Sequence, residues 1–268
     1  MRQRIITGTL IALVLATLIY FGEGKLEFLF SGFCVILSGL AAYEFTKMSR
    51  KNKTIRWFDY LAVLFSVGFS TLSVIFFNRL IYYIFVFIFI IGLLLFYAIM
   101  FVTIKEFDRS DFGNQLLTIF YTSLGFIAFA YLRIKGIEVI VYLFAVSMLT
   151  DVFAYFIGIK FGKHRLAVHI SPKKSIEGAV AGLIIGAVLA TVFAYFFNVF
   201  DFNNFLVLLL SMVLSAISQI GDLIASKFKR EVGIKDYSNL LPGHGGILDR
   251  FDSSMFAAIF LMLAIIIF

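Results

Sequence analysis

The feature that most limits how this chain can fold is a series of apolar stretches, each long enough to cross a lipid bilayer. The hydrocarbon core of a bilayer is about 30 Å thick, and a helix needs about 20 residues to span it. Such stretches recur at 5–22, 27–44, 57–77, 80–104, 114–132, 139–160, 176–199, 205–225 and 251–268. They predict an all-α fold, a polytopic membrane bundle of nine transmembrane helices.

The composition excludes other classes of protein. Hydrophobic residues make up 62% of the chain and charged residues only 15%, whereas a soluble domain carries about 25% charged residues. Intrinsic disorder needs the opposite composition, and the single Cys34 excludes a disulfide scaffold. Arg2 and Arg4 precede the first apolar stretch as in a signal peptide, but no small-residue cleavage site follows it, so we interpret the stretch as a helix.

The distribution of Lys and Arg predicts the orientation. With nine helices and the N-terminus inside, only four of the 23 Lys and Arg fall outside, namely Lys25, Arg79, Arg133 and Lys135. Because cytoplasmic loops carry an excess of these residues, we expect a cytoplasmic N-terminus in the plasma or inner membrane. We expect residues 1–138 to form lipid-facing helices with any dimer contacts, and residues 139–268 to form a catalytic region with cytoplasmic loops at 160–175 and 226–250.

Asp151 lies inside the sixth predicted helix, nine residues before Lys160. A carboxylate inside a membrane helix costs about 2.5–3.5 kcal/mol, so we expect it to face the protein interior or a wet cavity. Tyr155, Gly158 and Gly162 lie on the same helical face and extend a polar stripe from it. A structural hydrogen bond to a neighbouring helix is the alternative, and both roles stay open.

The seventh predicted helix has two notable features. Gly178, Gly182 and Gly186 recur every four residues, which allows close approach of another helix, within the bundle in preference to a dimer seam. Ser171 and Pro172 are typical of a helix cap and first helical residue. That start would place Lys173 and Lys174 at a helix N-terminus, where anions bind.

Three carboxylates indicate a metal site. Asp249 and Asp252 are three residues apart and share one face at the start of the ninth predicted helix. Asp222 lies near the end of the eighth, on the same side of the membrane, where an acid opposes the helix dipole. Three converging carboxylates repel unless a cation holds them, and hard oxygen ligands suit magnesium. We therefore predict Asp222, Asp249 and Asp252 as magnesium ligands.

The segment between these acids has the composition of a phosphate-binding loop. Gly243, Gly245 and Gly246 leave backbone N–H groups able to approach phosphate oxygens, and cations crowd the two longest inside loops. Three roles stay open for His244: a general base, a hydrogen-bond donor to a phosphate, or a turn residue. A magnesium–carboxylate centre among cations at a membrane edge suits phosphoryl or nucleotidyl transfer to a lipid. We therefore attribute a good part of the net charge of +7 to cations that line a pocket for polyanions. We expect no nucleic-acid partner.

The run from Ser226 to Asp252 resembles the phosphatidate cytidylyltransferase family. The family pattern is S-x-[apolar]-K-R, four residues, K-D, then H-G-G-[apolar]-x-D-R-[apolar]-D. The matching positions are Ser226, Phe228, Lys229, Arg230, Lys235, Asp236, His244, Gly245, Gly246, Ile247, Asp249, Arg250, Phe251 and Asp252. Weaker similarity extends upstream through Asp151–Tyr155, Phe161–Lys163 and Ser171–Ser175.

The resemblance implies that the chain converts CTP and phosphatidate into CDP-diacylglycerol and pyrophosphate in phospholipid biosynthesis, with magnesium. It implies that Asp222 and Asp249 hold the metal, with Asp252 and Ser226 close by. It further implies that cationic residues bind the phosphates of CTP or of the lipid; these are Lys229, Arg230, Lys235 and Arg250. A potassium ion beside the magnesium and a homodimer are expected from the resemblance alone.

Two other functions stay open at this point. A related cytidylyltransferase acting on another lipid phosphate, such as an archaeal ether lipid, would share every motif named above. An ion-coupled transporter would use Asp151 and Asp222 as proton or cation sites, but it leaves the His-Gly-Gly loop and the clustered cations without a role. A CDP-alcohol phosphatidyltransferase is disfavoured because its Asp-Gly-x-x-Ala-Arg run is absent.

Overall fold

The computed structural model describes residues 2–22, 26–51, 54–77, 81–201 and 203–267. The described residues form nine helices and one short hairpin. The helices are α1 (Arg2–Phe21), α2 (Glu27–Ser49), α3 (Asp59–Phe76), α4 (Ile81–Thr103), α5 (Arg109–Lys135), α6 (Ile137–Phe161), α7 (Ile176–Phe196), α8 (Asn204–Glu231) and α9 (Leu248–Ile267). Strands β1 (Arg165–Ala167) and β2 (Ser171–Ser175) lie between α6 and α7 and pair antiparallel.

Eight of the described helices are long and apolar enough to cross a membrane, and α1 contains a shorter apolar segment, Thr7–Phe21. Large apolar side chains point outward along them; Val102 of α4, for example, is 83% exposed. The predicted class, a polytopic helical membrane protein, is confirmed. The predicted orientation stays a prediction, and Lys25, Lys53 and Arg79, on which its count partly depends, lie outside the described residues.

The chain packs as two compact units. Unit 1 comprises Met1–Tyr20 and Leu132–Phe268, and unit 2 comprises Phe21–Tyr131. By packing, α1 therefore belongs with α6 to α9. The functional division predicted at residue 138 stays a prediction.

Unit 2 is built on an aromatic core closed by a buried ion network. Phe58, Tyr97 and Phe107 pack together, with ring centroids 5.2 Å apart for Phe58–Phe107 and 6.0 Å apart for Tyr97–Phe107. Beside them the guanidinium of Arg50 contacts Asp59 at 2.8 Å and Asp111 at 2.5 Å. All three charged groups are buried, so the network that joins α2, α3 and α5 is shielded from solvent.

Unit 1 is held together by a seam of small residues. A Cβ atom added to Gly182 of α7 would lie 2.6 Å from the carbonyl oxygen of Thr150, and one added to Gly186 would lie 2.7 Å from its hydroxyl. This close approach of α6 and α7 confirms that the glycine spacing serves packing within the bundle. The Thr150 hydroxyl also hydrogen-bonds Ser215 of α8 at 2.7 Å, so three helices meet one residue before Asp151.

The structure corrects two predicted helix ends. Ser171 and Pro172 belong to β2 because that strand pairs with β1; the cap of α7 is Ser175, whose hydroxyl accepts a hydrogen bond from the Gly178 N–H at 3.2 Å. Lys173 and Lys174 therefore lie on a strand and not on a helix N-terminus. Helix α8 continues to Glu231, so Asp222 lies well inside it and the predicted conflict with the helix dipole does not arise.

Candidate active site

A cavity of about 590 Å³ opens among α6, α7, α8 and the hairpin. One wall is the predicted polar stripe of α6, formed by Asp151, Tyr155, Gly158 and Gly162. These residues share a wall because they follow one another at helical spacing and because α7 approaches α6 at its glycines. The opposite side carries the charged residues Arg165, Lys173, Lys174 and Asp222.

Lys174 and Asp222 form an ion pair in this cavity. The lysine Nζ lies 2.5 Å from a carboxylate oxygen of Asp222, and the two side chains are 27% and 25% exposed. The Ser226 hydroxyl, one turn later on α8, donates to the other oxygen at 3.3 Å. Asp222 thus has a cation partner, and that partner is a lysine of the hairpin.

Asp151 interacts electrostatically with this pair and is hydrogen-bonded to α9. Its carboxylate accepts a hydrogen bond from Ser253, and it lies close enough to Lys174 and Asp222 for their charges to act on it. Asp151 thus makes the hydrogen bond to a neighbouring helix and also lines a cavity, so the two alternatives left by the sequence do not exclude each other.

Asp249 organises the loop between α8 and α9. One of its oxygens lies 2.7 Å from the Nζ of Lys229, and the other accepts hydrogen bonds from the N–H groups of Tyr237 at 2.7 Å and Gly246 at 2.9 Å. Gly245 has a φ of +82°, and a Cβ there would lie 2.8 Å from Asp249. A side chain at that position is therefore disfavoured by both conformation and space. In this arrangement the Gly246 N–H, predicted to meet a phosphate, binds Asp249.

Asp252 lies between the two groups of charges. It is 3.7 Å from the Nζ of Lys229, and it experiences the charges of Asp222 and Asp249. The four carboxylates of α6, α8 and α9 thus form a chain of electrostatic neighbours, from Asp151 through Asp222 and Asp252 to Asp249. Two lysines, Lys174 and Lys229, offset part of their charge.

The donor set fits magnesium in kind. Magnesium is usually bound by one or two carboxylates together with waters and substrate phosphates, and Asp222 presents a partly exposed carboxylate to the cavity. Among the described residues, no three His, Cys, Asp or Glu side chains stand together as a complete metal cage. The three carboxylates expected to converge do not form such a group in the described part of the chain, and the metal roles of Asp222, Asp249 and Asp252 stay predictions.

A second cavity, an apolar groove of about 620 Å³, lies among α1, α6 and the start of α9. Small and aliphatic side chains of α1 line it, and its charged end carries Asp151, His244 and Arg250. Asp151 borders both this groove and the cationic cavity.

Three of the four cations that the resemblance assigned to phosphate binding lie outside both cavities. Lys229 contacts Asp249; the other two are Arg230 and Lys235. Arg230 donates to the carbonyl oxygens of Ile170 at 3.3 Å and Ile234 at 2.9 Å, which ties the end of α8 to the hairpin. Lys235 is exposed in the loop that follows. Their proposed contacts with phosphate require a substrate that reaches beyond the cavity.

The sequence reasoning missed the cavity residue Gln219 and the lining of the groove by α1. Gln219 precedes Asp222 by three residues, so helical spacing could have found it; it donates to the Ala179 carbonyl oxygen at 3.2 Å. Gly8, Ala12 and Ala16 recur every four residues, a spacing that also occurs at close helix contacts. By itself that spacing does not distinguish a groove from a packed helix.

Comparison with known proteins places this helical membrane protein in a family. The chain matches the cytidylyltransferase family over residues 2–268, and it belongs to that family. A Staphylococcus haemolyticus protein named phosphatidate cytidylyltransferase is 45% identical over 152 residues, which cover 57% of this chain and 58% of the relative. Proteins of the same name from Staphylococcus saprophyticus and Staphylococcus aureus are 43% and 42% identical over the same lengths.

The chain thus spans a little over half the length of the curated relatives it matches. The family expected from the Ser226–Asp252 run is confirmed.

Proposed function

We propose that the chain is a phosphatidate cytidylyltransferase, which transfers CMP from CTP to phosphatidate and yields CDP-diacylglycerol and pyrophosphate. The observation that supports it most is the position of Asp151 on the boundary of two cavities, one cationic and one apolar. The cationic cavity suits the triphosphate of CTP, and the apolar cavity suits a chain of the phosphatidate. The phosphates of the two substrates would then meet beside Asp151. The names of the staphylococcal relatives support the same reaction.

In the proposed reaction, an oxygen of the lipid phosphate attacks the α-phosphorus of CTP. A new P–O bond forms, and the bond between the α-phosphorus and the pyrophosphate oxygen breaks. Because the attacking phosphate is already anionic at neutral pH, no side chain has to remove a proton from it. His244, Asp249 and Asp252 then act by position and charge.

The cations of the cavity would bind the triphosphate. Lys173 and Lys174 of β2 and Arg165 of β1 border the same space, where their charges would offset those of CTP. Lys174 would exchange its contact with Asp222 for a phosphate oxygen, and Ser226 would keep the carboxylate oriented. Arg250 and His244, at the charged end of the groove, would bind the lipid phosphate.

Asp222, Asp249 and Asp252 would hold magnesium. When bound, the ion neutralises charge that develops on the departing pyrophosphate. For Asp249 to take part, Lys229 has to give up its contact at 2.7 Å, and a phosphate is a suitable new partner for that lysine. The potassium ion and the homodimer expected from the resemblance stay predictions.

We further propose that this site faces the cytoplasm from the plasma or inner membrane, as the Lys and Arg distribution predicts. A cysteine introduced at the exposed Lys227, in a Cys34→Ser background, tests the orientation. It should react with a membrane-impermeant maleimide only after the cells are opened, and labelling of intact cells would contradict the orientation.

The reaction itself is tested with purified protein, radiolabelled CTP, phosphatidate and magnesium. We expect labelled CDP-diacylglycerol and an equal amount of pyrophosphate, both lost when a chelator is added. Product from an ether-linked lipid phosphate but not from phosphatidate would move the assignment to the related enzyme. Absence of product from every lipid phosphate, with cation flux in proteoliposomes, would replace the enzyme by a transporter.

A further inference from the structure

The groove beside α1 has the dimensions of an acyl-chain site. It follows α6 from Ile137 to Asp151, which is about 21 Å of helix at 1.5 Å per residue. One leaflet of a bilayer contributes about half of a 30 Å hydrocarbon core. The groove is therefore long enough for a lipid chain that runs from the headgroup region toward the middle of the membrane.

The wall formed by α1 alternates small and aliphatic side chains. Gly8, Ala12 and Ala16 line the groove at four-residue intervals beside Ile11, Leu15 and Ile19, so the small residues leave gaps between the larger ones. Leu13, which does not line the groove, is 60% exposed. At the rim, Tyr20 and Met148 are 68% and 65% exposed. The groove is thus reachable from the side, where lipid surrounds the helices.

Arg250 and His244 at one end of the groove suit a phosphate headgroup, and the negative charge of Asp151 at the same end is offset in part by Lys174. Arg250 is exposed and takes part in no ion pair among the described residues. His244 lies beside it, with its Nε2 edge facing α1 at Gly8, where a Cβ atom would lie only 3.1 Å away. Its Nδ1 is buried without a hydrogen-bond partner in the described part of the chain. A cation and an imidazole above an apolar groove complement a lipid that carries a phosphate.

We infer that this groove holds one acyl chain of the phosphatidate, and that Gly8, Ala12 and Ala16 of α1 determine which chains fit. The inference rests on the proposed function and extends it, because it assigns chain recognition to a helix outside the Ser226–Asp252 run. The small residues act by leaving space, so larger side chains at their positions should exclude long chains and leave the nucleotide cavity unchanged.

Kinetics of Ala12→Phe and Ala16→Phe test this, with Leu13→Phe as the matched control on the lipid-facing side of α1. We expect the KM for a phosphatidate with two 18-carbon chains to rise about tenfold in the two groove variants. The KM for CTP and the turnover of a six-carbon phosphatidate should stay at wild-type values, and Leu13→Phe should change nothing. An unchanged KM for the long-chain substrate, or a change in oligomeric state in its place, would overturn the inference.

A second measurement uses the wild-type chain, so it does not depend on how the variants fold. Phosphatidate with a photoreactive diazirine near the end of one chain should crosslink to α1 between Ala12 and Tyr20 and to α6 between Val141 and Met148. Crosslinking at these positions without CDP-diacylglycerol formation would support the assignment of the groove to a lipid chain and contradict the proposed reaction. Turnover with crosslinks only elsewhere would overturn the groove assignment and leave the reaction standing.

Discussion

Asp59 and Asp111 of unit 2 and Asp222 of unit 1 lie in different surroundings. In unit 2, Asp59 and Asp111 have side chains only 2% and 1% exposed, and both contact Arg50. Asp59 also accepts hydrogen bonds from Gln115 and from the Arg56 N–H. In unit 1, Asp222 has a 25% exposed side chain and contacts one lysine beside a cavity.

This difference separates a structural use of charge from a reactive one. Asp59 and Asp111 neutralise the buried Arg50, and loss of either one leaves an uncompensated guanidinium. A partly exposed carboxylate paired with one flexible lysine can exchange that partner for a metal ion or a phosphate. Substitutions in unit 2 should therefore affect folding, and substitutions around Asp222 should affect turnover.

The largest effect is expected for Asp59→Asn in unit 2. Breaking a buried ion pair costs about 3–5 kcal/mol, so the variant should unfold at a clearly lower temperature in detergent. Glu106→Gln, an exposed residue of the same unit, removes the same charge and should leave the transition in place. Equal unfolding temperatures for the two variants would show that the network contributes no stability.

Asp222→Asn should have the opposite profile. Loss of one group that stabilises the transition state lowers turnover by about 10²–10³, while the unfolding temperature should stay near the wild-type value. The comparison variant is Asp201→Asn, which alters an exposed acid of the same unit and should remain active. Retained turnover in Asp222→Asn would remove this carboxylate from the chemistry.

A smaller effect on stability should distinguish the glycine seam of unit 1 from the open glycines of unit 2. Gly182→Ala places a Cβ 2.6 Å from the Thr150 carbonyl oxygen and 2.8 Å from the Ala154 Cβ, and such overpacking costs about 1–3 kcal/mol. Gly68→Ala in α3 meets nothing within 4 Å and should be neutral or slightly stabilising. Thermal unfolding of both variants measures the difference, and a neutral Gly182→Ala would mean that α6 and α7 can separate at little cost.

The smallest effect is expected for the exposed pair Lys227–Glu231, whose charged atoms are 3.4 Å apart with both side chains 56% exposed. Exposed pairs contribute about 0–1 kcal/mol, so Lys227→Ala should alter neither the unfolding temperature nor turnover measurably. A loss of activity in this variant would extend the site to the outer face of α8.

The apolar stretches predicted all nine described helices because burial in lipid leaves helical backbone few alternatives. The wrong predictions concern the ends of the helices, where the residue composition and the backbone hydrogen bonds indicate different boundaries. Lys227 and Arg230 ended the predicted eighth helix, yet charged side chains do not interrupt backbone hydrogen bonds, and α8 continues to Glu231. Ser171 is of a residue type that is favoured at helix caps. Because β2 pairs with β1, however, α7 begins later and its cap is Ser175.

The carboxylates of the site could be identified from the sequence because acids are costly in an apolar chain. Their partners could not, because a pair such as Lys174 and Asp222 depends on how the hairpin folds onto α8. The groove was missed for a related reason. Its lining of Gly8, Ala12 and Ala16 has no chemistry of its own, and the spacing acquires a meaning only once α6 and α9 lie opposite.

Steady-state kinetics of two variants can show whether the nucleotide and the lipid occupy separate cavities that meet at Asp151. Lys174→Gln should raise the KM for CTP about tenfold, since a hydrogen bond to a charged group is lost, and leave the KM for long-chain phosphatidate unchanged. Ala16→Phe should raise only the KM for the long-chain lipid. A parallel change in the KM values for CTP and for long-chain phosphatidate in either variant would contradict separate cavities. So would a rise in the lipid KM for Lys174→Gln together with a rise in the CTP KM for Ala16→Phe.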